Sequence, residues 1–127
     1  MPLCMVHPVV HFEIMSTQAP ALREFYSNVF EWTFAPAMPM GDGAGDYATV
    51  APSPEMTGGI GTAVNGYPGH LTFYIYTTDV EGTLKKVESR GGKRIMGPNK
   101  MESPPIEIAL FEDPAGNTIG LVNPGAM

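Results

Sequence analysis

Cysteine occurs once, at Cys4, which excludes an intramolecular disulfide and any zinc site built on paired cysteines. Close to the terminus and without a neighbour to activate it, Cys4 reads as a reduced, inert thiol. Long apolar runs are also missing: nothing approaches the roughly 20 residues that a bilayer-spanning helix needs. The start of the chain, Met1-Pro2-Leu3-Cys4-Met5, has no basic region followed by a long apolar core, so no secretory signal is expected and the expected location is cytoplasmic. Basic residues are few. Seven Lys and Arg against thirteen Asp and Glu leave a net charge of -6, so nucleic acid and anionic membrane surfaces would repel the chain, and a small molecule is the expected partner. No GxGxxG or Walker pattern follows a strand, so Gly58, Gly59 and Gly61 point to tight packing or a bulge rather than to a phosphate cradle.

What is present is enough for one globular domain. The 127 residues, 43% hydrophobic and 16% charged, can bury a core without a disulfide or structural metal. Residues 9–15 (Val-Val-His-Phe-Glu-Ile-Met) have the β-branched and aromatic character of a strand, and Thr17 is placed to cap a following helix. Leu22, Phe25, Tyr26, Val29 and Phe30 fall at i, i+3, i+4, i+7 and i+8, one apolar stripe of an amphipathic helix with Pro20 in its first turn. The Pro-, Gly- and Met-rich stretch 36–45 reads as an exposed hairpin or loop, and 47–50 and 59–64 as weaker strands.

After the turn-rich linker 65–69 the pattern restarts. His70 to Tyr76 alternates as a strand, Thr78-Asp79-Val80-Glu81 reads as a capping box, and Val80, Leu84 and Val87 give the next helix its buried stripe before Gly91-Gly92 stops it. Strands over 93–96, 106–111 and 118–122 follow, the last two joined by the turn Asp113-Pro114-Ala115-Gly116-Asn117. The chain is thus an internal repeat of β-α-β-β-β units, about 8–65 and 69–123.

With Phe25-Tyr26-Ser27-Asn28-Val29-Phe30-Glu31-Trp32 closing the first helix and Asp113-Pro114-Ala115-Gly116-Asn117-Thr118-Ile119-Gly120-Leu121 leading into the last strand, this repeat resembles the glyoxalase, bleomycin-resistance and extradiol-dioxygenase group, the vicinal oxygen chelate proteins. The resemblance covers nearly the whole chain. It implies an α+β fold in which two β-α-β-β-β modules form a partly open, curved sheet barrel with helices on the outer face, a small molecule in the concave pocket, and a homodimer. It also implies a divalent metal (Zn, Ni, Fe or Mn) as cofactor, and lyase, isomerase or dioxygenase activity. The alternative is a non-catalytic protein that sequesters a small molecule, as in the bleomycin-resistance branch.

The site residues follow from the same resemblance. His11 precedes Phe25 by fourteen positions, the spacing of a metal-ligand histidine in glyoxalase-like sequences. The matching position in the second module falls near Thr72, with His70 two residues earlier on the same strand face, so His11 and His70 are the candidate metal ligands. The expected carboxylates are missing: metal-binding members carry a glutamate one residue after isoleucine in the last strand, where this chain has Gly120, and 59–64 contain no acidic residue. Glu13 shares a strand face with His11 and is the candidate general base, with Glu107 as the other candidate catalytic carboxylate. Alternation leaves open which side of the 106–111 strand faces the pocket. His11, Thr72, Tyr74, Tyr76 and Trp32 are the candidate pocket residues, the aromatic ones combining an apolar body with a polar tip.

Overall fold

A computed structural model describes residues 6–40, 45–102 and 105–125. Cys4 and part of the 36–45 stretch lie outside the described residues. The elements in chain order are β1 (Val9–Ser16), α1 (Ala19–Phe30), β2 (Met38–Pro39), β3 (Asp46–Ser53), β4 (Met56–Thr62), β5 (Gly69–Tyr76), α2 (Val80–Ser89), β6 (Lys93–Glu102), β7 (Pro105–Glu112) and β8 (Thr118–Asn123). The chain divides into two compact units, one of residues His11–Thr72 and one running from Phe73 onward together with the N-terminal residues as far as Val10. No described helix is long and apolar enough to cross a membrane.

In the His11–Thr72 unit the strand order is β2-β3-β4-β1. The β4–β1 pair is parallel, with His11 opposite Thr57 and Glu13 opposite Gly59, and the β3–β4 pair is antiparallel, with Tyr47 opposite Gly61. Gln18, at the N-cap of helix α1, makes no side-chain cap. The expected Thr17 cap is not made; instead the Ser16 hydroxyl accepts from the Gln18 N–H at 3.0 Å, satisfying the chain one residue earlier as it leaves β1. Arg23 ties α1 to the sheet, donating to the Ile60 carbonyl at 2.8 Å and to Asp46 Oδ2 at 3.2 Å. Between α1 and the sheet the Trp32 ring stacks on Tyr26 at 5.3 Å and meets Phe12 at 5.5 Å.

The other unit orders its strands β5-β8-β7-β6. Its core joins Val80 and Leu84 of α2 to Ala109 and Phe111 of β7 and Leu121 of β8. The α2 cap differs from the expected box: Asp79 accepts from the Gly82 N–H at 3.0 Å. The Glu81 carboxylate is drawn away by Arg94 of β6, with contacts of 3.0 and 2.8 Å, a bidentate pairing stronger than a neutral cap bond. In the β7–β8 turn, Asp113 accepts from the backbone N–H groups of Ala115 and Asn117 and from the Asn117 side chain. These donors hold the Asp113 carboxyl below its ordinary range. Each unit has the β-α-β-β-β order that the repeat implied.

Candidate functional site

Two glycines make the site. Gly59 and Gly61 lie two apart on β4 and so present bare backbone to one face of the sheet. A Cβ on either would overlap the Tyr47 ring, which lies across both positions. Because Gly59 is opposite Glu13, the Tyr47 hydroxyl reaches β1 between His11 and Glu13, and it contacts both: 2.9 Å from His11 Nε2 and 3.1 Å from Glu13 Oε1. The phenol proton goes to the carboxylate, which leaves the phenol oxygen to accept from His11 Nε2–H.

His11 Nδ1 then lies 2.7 Å from Thr57 Oγ1, its register partner. Burial holds the His11 imidazole below its ordinary value of 6.5, outweighing the opposing pull of the Glu13 charge. The ring is therefore neutral at pH 7, with its proton on Nε2 and its Nδ1 accepting from the Thr57 hydroxyl. These two residues open onto a pocket of about 430 Å³ whose other walls are Thr33, Ala35, Thr49, Val50 and Ala51. Among the described residues, His11 is the one ionisable side chain that lines it.

A second arm reaches Glu13 from the linker. Gly69 has φ 104, and a Cβ there would overlap the Met15 carbonyl, so only glycine lets the linker pass this close to β1. His70, the next residue, donates from Nε2 to Glu13 Oε2 at 2.6 Å, and its Nδ1 meets the Tyr67 hydroxyl. Desolvation first, and the Glu13 charge second, raise Tyr67 above the ordinary phenol range and keep its proton in place. Glu13, only 8% exposed, is thereby held by a phenol and an imidazole.

The structure thus brings together His11, Glu13 and His70. Thr72 is buried in the same unit. Trp32 packs on Phe12, which alternates to the opposite face of β1 from His11 and Glu13, and lines with Phe34 and Arg23 an adjoining cavity of about 360 Å³ that shares the walls Thr33 and Ala35 with the His11 pocket. Tyr74 and Tyr76 belong to the other unit, where the Tyr74 ring covers Gly120 and the Tyr76 carbonyl accepts from His7 Nδ1 at 3.0 Å. Glu107 also belongs to that unit. It shares with Ala109 and Phe111 the face of β7 that packs on α2, and lies opposite Lys100 and Asn123. The sequence candidates did not include Tyr47, Thr57 or Tyr67. The signal for Tyr47 was available: glycines at alternate strand positions leave a flat surface that an aromatic ring on the neighbouring strand covers.

The donor set does not fit a resident divalent ion. Both ring nitrogens of His11 and of His70 already face hydroxyl or carboxylate partners. Among the described residues no three His, Cys, Asp or Glu side chains gather around one point. The last-strand position that the resemblance assigns to a carboxylate is Gly120, and the Tyr74 ring fills the space where its side chain would begin.

Comparison with known proteins agrees with the fold. Methylmalonyl-CoA epimerase from Mycobacterium tuberculosis superposes with a TM-score of 0.70 at 14% identity, over 92% of this chain and 87% of that one. A Streptomyces coelicolor methylmalonyl-CoA epimerase variant in complex with 2-nitronate-propionyl-CoA gives 0.65 at 16% identity, over 94% and 98%. Among curated proteins, the anthracycline biosynthesis protein DnrV of Streptomyces peucetius is 29% identical over an alignment of 132 positions, and DauV of Streptomyces sp. (strain C5) is 28% identical. Each alignment takes in 91% of this chain and 46% of the relative, so the chain spans about half the length of these relatives. The family model described as Glyoxalase/Bleomycin resistance protein/Dioxygenase superfamily matches residues 9–121, and the chain belongs to that superfamily.

Proposed function

We propose that this protein binds an uncharged small molecule in the pocket beside His11 and Thr57 and moves a proton to or from it, an isomerase-type reaction. The single observation that carries this is His11 itself: a desolvated, neutral imidazole in the wall of a pocket, with Nδ1 directed to the Thr57 hydroxyl. A neutral imidazole is the proton acceptor suited to pH 7. Among the described residues no Lys or Arg lines the pocket, and the chain carries a net charge of -6, both of which disfavour an anionic ligand. Of the lyase, isomerase and oxygenase chemistries expected from the resemblance, proton movement is the one these side chains support by themselves, and no step here is routed through a metal. The curated relatives' role in anthracycline biosynthesis supports a small organic ligand. A cytoplasmic homodimer is part of the proposal; exposed Phe25, Val29 and Phe30 on α1 leave apolar surface for a second copy.

The test is hydrogen exchange at carbon. The protein is incubated in D2O with uncharged α-hydroxyketones, such as 2-hydroxyacetophenone, and loss of the carbon-bound proton signal is followed by NMR. His11→Gln is expected to slow exchange by about 100-fold, the lower end of what a positioned base contributes. Exchange no faster than without protein, or undiminished in His11→Gln, would overturn the proposal. A second reading rests on the adjoining cavity lined by Trp32 and Phe34, which suits sequestration of an aromatic compound. Tight binding that quenches Trp32 fluorescence with no exchange would favour it.

A further inference from the structure

Between the pocket and the buried carboxylate the hydrogen-bonding groups form one unbroken series: Thr57 Oγ1 to His11 Nδ1 at 2.7 Å, His11 Nε2 to Tyr47 Oη at 2.9 Å, and Tyr47 Oη to Glu13 Oε1 at 3.1 Å. Each middle member accepts on one side and donates on the other. We propose that Tyr47 is the positioning residue that joins His11 to Glu13 in a proton relay, so that a proton taken from the ligand at Thr57 and His11 comes to rest on Glu13. This rests on the function proposed above and extends it by naming where the proton goes.

The step balances without any further reactant. The ligand's C–H or O–H bond breaks and its proton joins Thr57 Oγ1, while the Thr57 proton passes to His11 Nδ1. The Nε2 proton of His11 then passes to Tyr47 Oη, and the Tyr47 proton passes to Glu13 Oε1. The electron pair of the broken bond stays on the ligand, every middle group ends with as many protons as it began, and the negative charge moves from Glu13 to the ligand. Reversal returns the proton to the same or a neighbouring ligand atom. The second contact on Glu13, His70 Nε2 at Oε2, holds the carboxylate so that Oε1 faces the phenol.

The backbone is built for this one ring. Tyr47 spans Gly59 and Gly61, and any side chain at Gly59 would overlap the hydroxyl end of the ring. The glycine makes room for the far end of the ring, ring carbons and hydroxyl alike, and the part played by the hydroxyl is carried by its contacts to His11 and Glu13.

The first measurement needs no ligand. The 15N shifts of the His11 ring at pH 7.5 are expected to show one neutral tautomer with the proton on Nε2. The Nδ1–H tautomer would give the series the wrong polarity and overturn the relay. In the second measurement Tyr47→Phe, which keeps the ring over the glycines, is expected to leave the Kd for 2-hydroxyacetophenone within about twofold and to lower its exchange in D2O at least about tenfold. Glu13→Gln is expected to do the same and serves in its place should the phenylalanine variant unfold. Exchange within twofold of wild type in Tyr47→Phe, with His11→Gln inactive, would overturn the relay and leave the proposed function standing. Undiminished exchange in His11→Gln would overturn both.

Discussion

Tyr74 lays its ring over Gly120, its register partner on β8, so tightly that a Cβ at position 120 would come within 2.4 Å of a ring carbon. Position 120 is where the family resemblance expects a metal-binding glutamate. A glutamate at position 120 and the Tyr74 ring would therefore compete for the same space. Gly120→Glu is expected to destabilise the fold by about 1–3 kcal/mol or more through overpacking, without creating a zinc site. Chemical denaturation and calorimetric titration with zinc check this. A variant of undiminished stability that binds zinc stoichiometrically would show that the position still serves as a ligand.

Adjacent glycines on β4 offer a sharper comparison, because they face opposite ways. A Cβ at Gly58 would overlap the Phe12 ring, which packs on Trp32, whereas a Cβ at Gly59 would overlap the Tyr47 ring. Gly58→Ala and Gly59→Ala should each cost about 1–3 kcal/mol by overpacking. Gly59→Ala should alter the His11 ring 15N signals far more, since only it displaces the phenol from Nε2. Equal effects on His11 from both variants would mean that the two faces are not independent.

The elements were legible in the sequence because they rest on local patterns: period two in β1 and β5, the helical stripes, and the Asp113 to Asn117 turn. The site was less so. Glu13 meets Tyr47 across 34 positions and His70 across 57, and no spacing rule in a single chain announces such a meeting. His11, Glu13 and His70 were identified individually, but Tyr47 sat in a weak strand and its role depends on the two glycines it covers. Glu107 was open to either face, and its alternation with Ala109 and Phe111 puts it on the α2 side.

The stripe of α1 shows the same limit on energetics. Its period marked a helix correctly, yet Phe25, Val29 and Phe30 are 53%, 53% and 56% exposed, while Leu84 of α2 is fully buried. Leu84→Ala should therefore cost about 2–5 kcal/mol, since it removes a packed side chain and leaves a cavity. Phe25→Ala should fall within about 0.5 kcal/mol of wild type in a monomer. Urea denaturation at several protein concentrations decides the matter. A large, concentration-dependent loss for Phe25→Ala would place this face in the contact between two copies.

The direction in which His11 is shifted sets how stability responds to pH. Its folded-state value lies below 6.5, chiefly through desolvation. As the pH falls, the unfolded chain takes up a proton on this residue before the folded chain does, so stability must decline with acidification. The His11 contribution is complete above about 6.5 and is lost as the pH drops from there toward the folded value. His11→Gln removes the titrating group, so the stability advantage of wild type over the variant should be larger at pH 7.5 than at pH 5.5. If the Glu13 charge prevailed over burial, His11 would be held protonated, the advantage would grow on acidification, and a neutral proton acceptor at pH 7 would be ruled out. Denaturation curves at the two pH values separate these outcomes by sign alone.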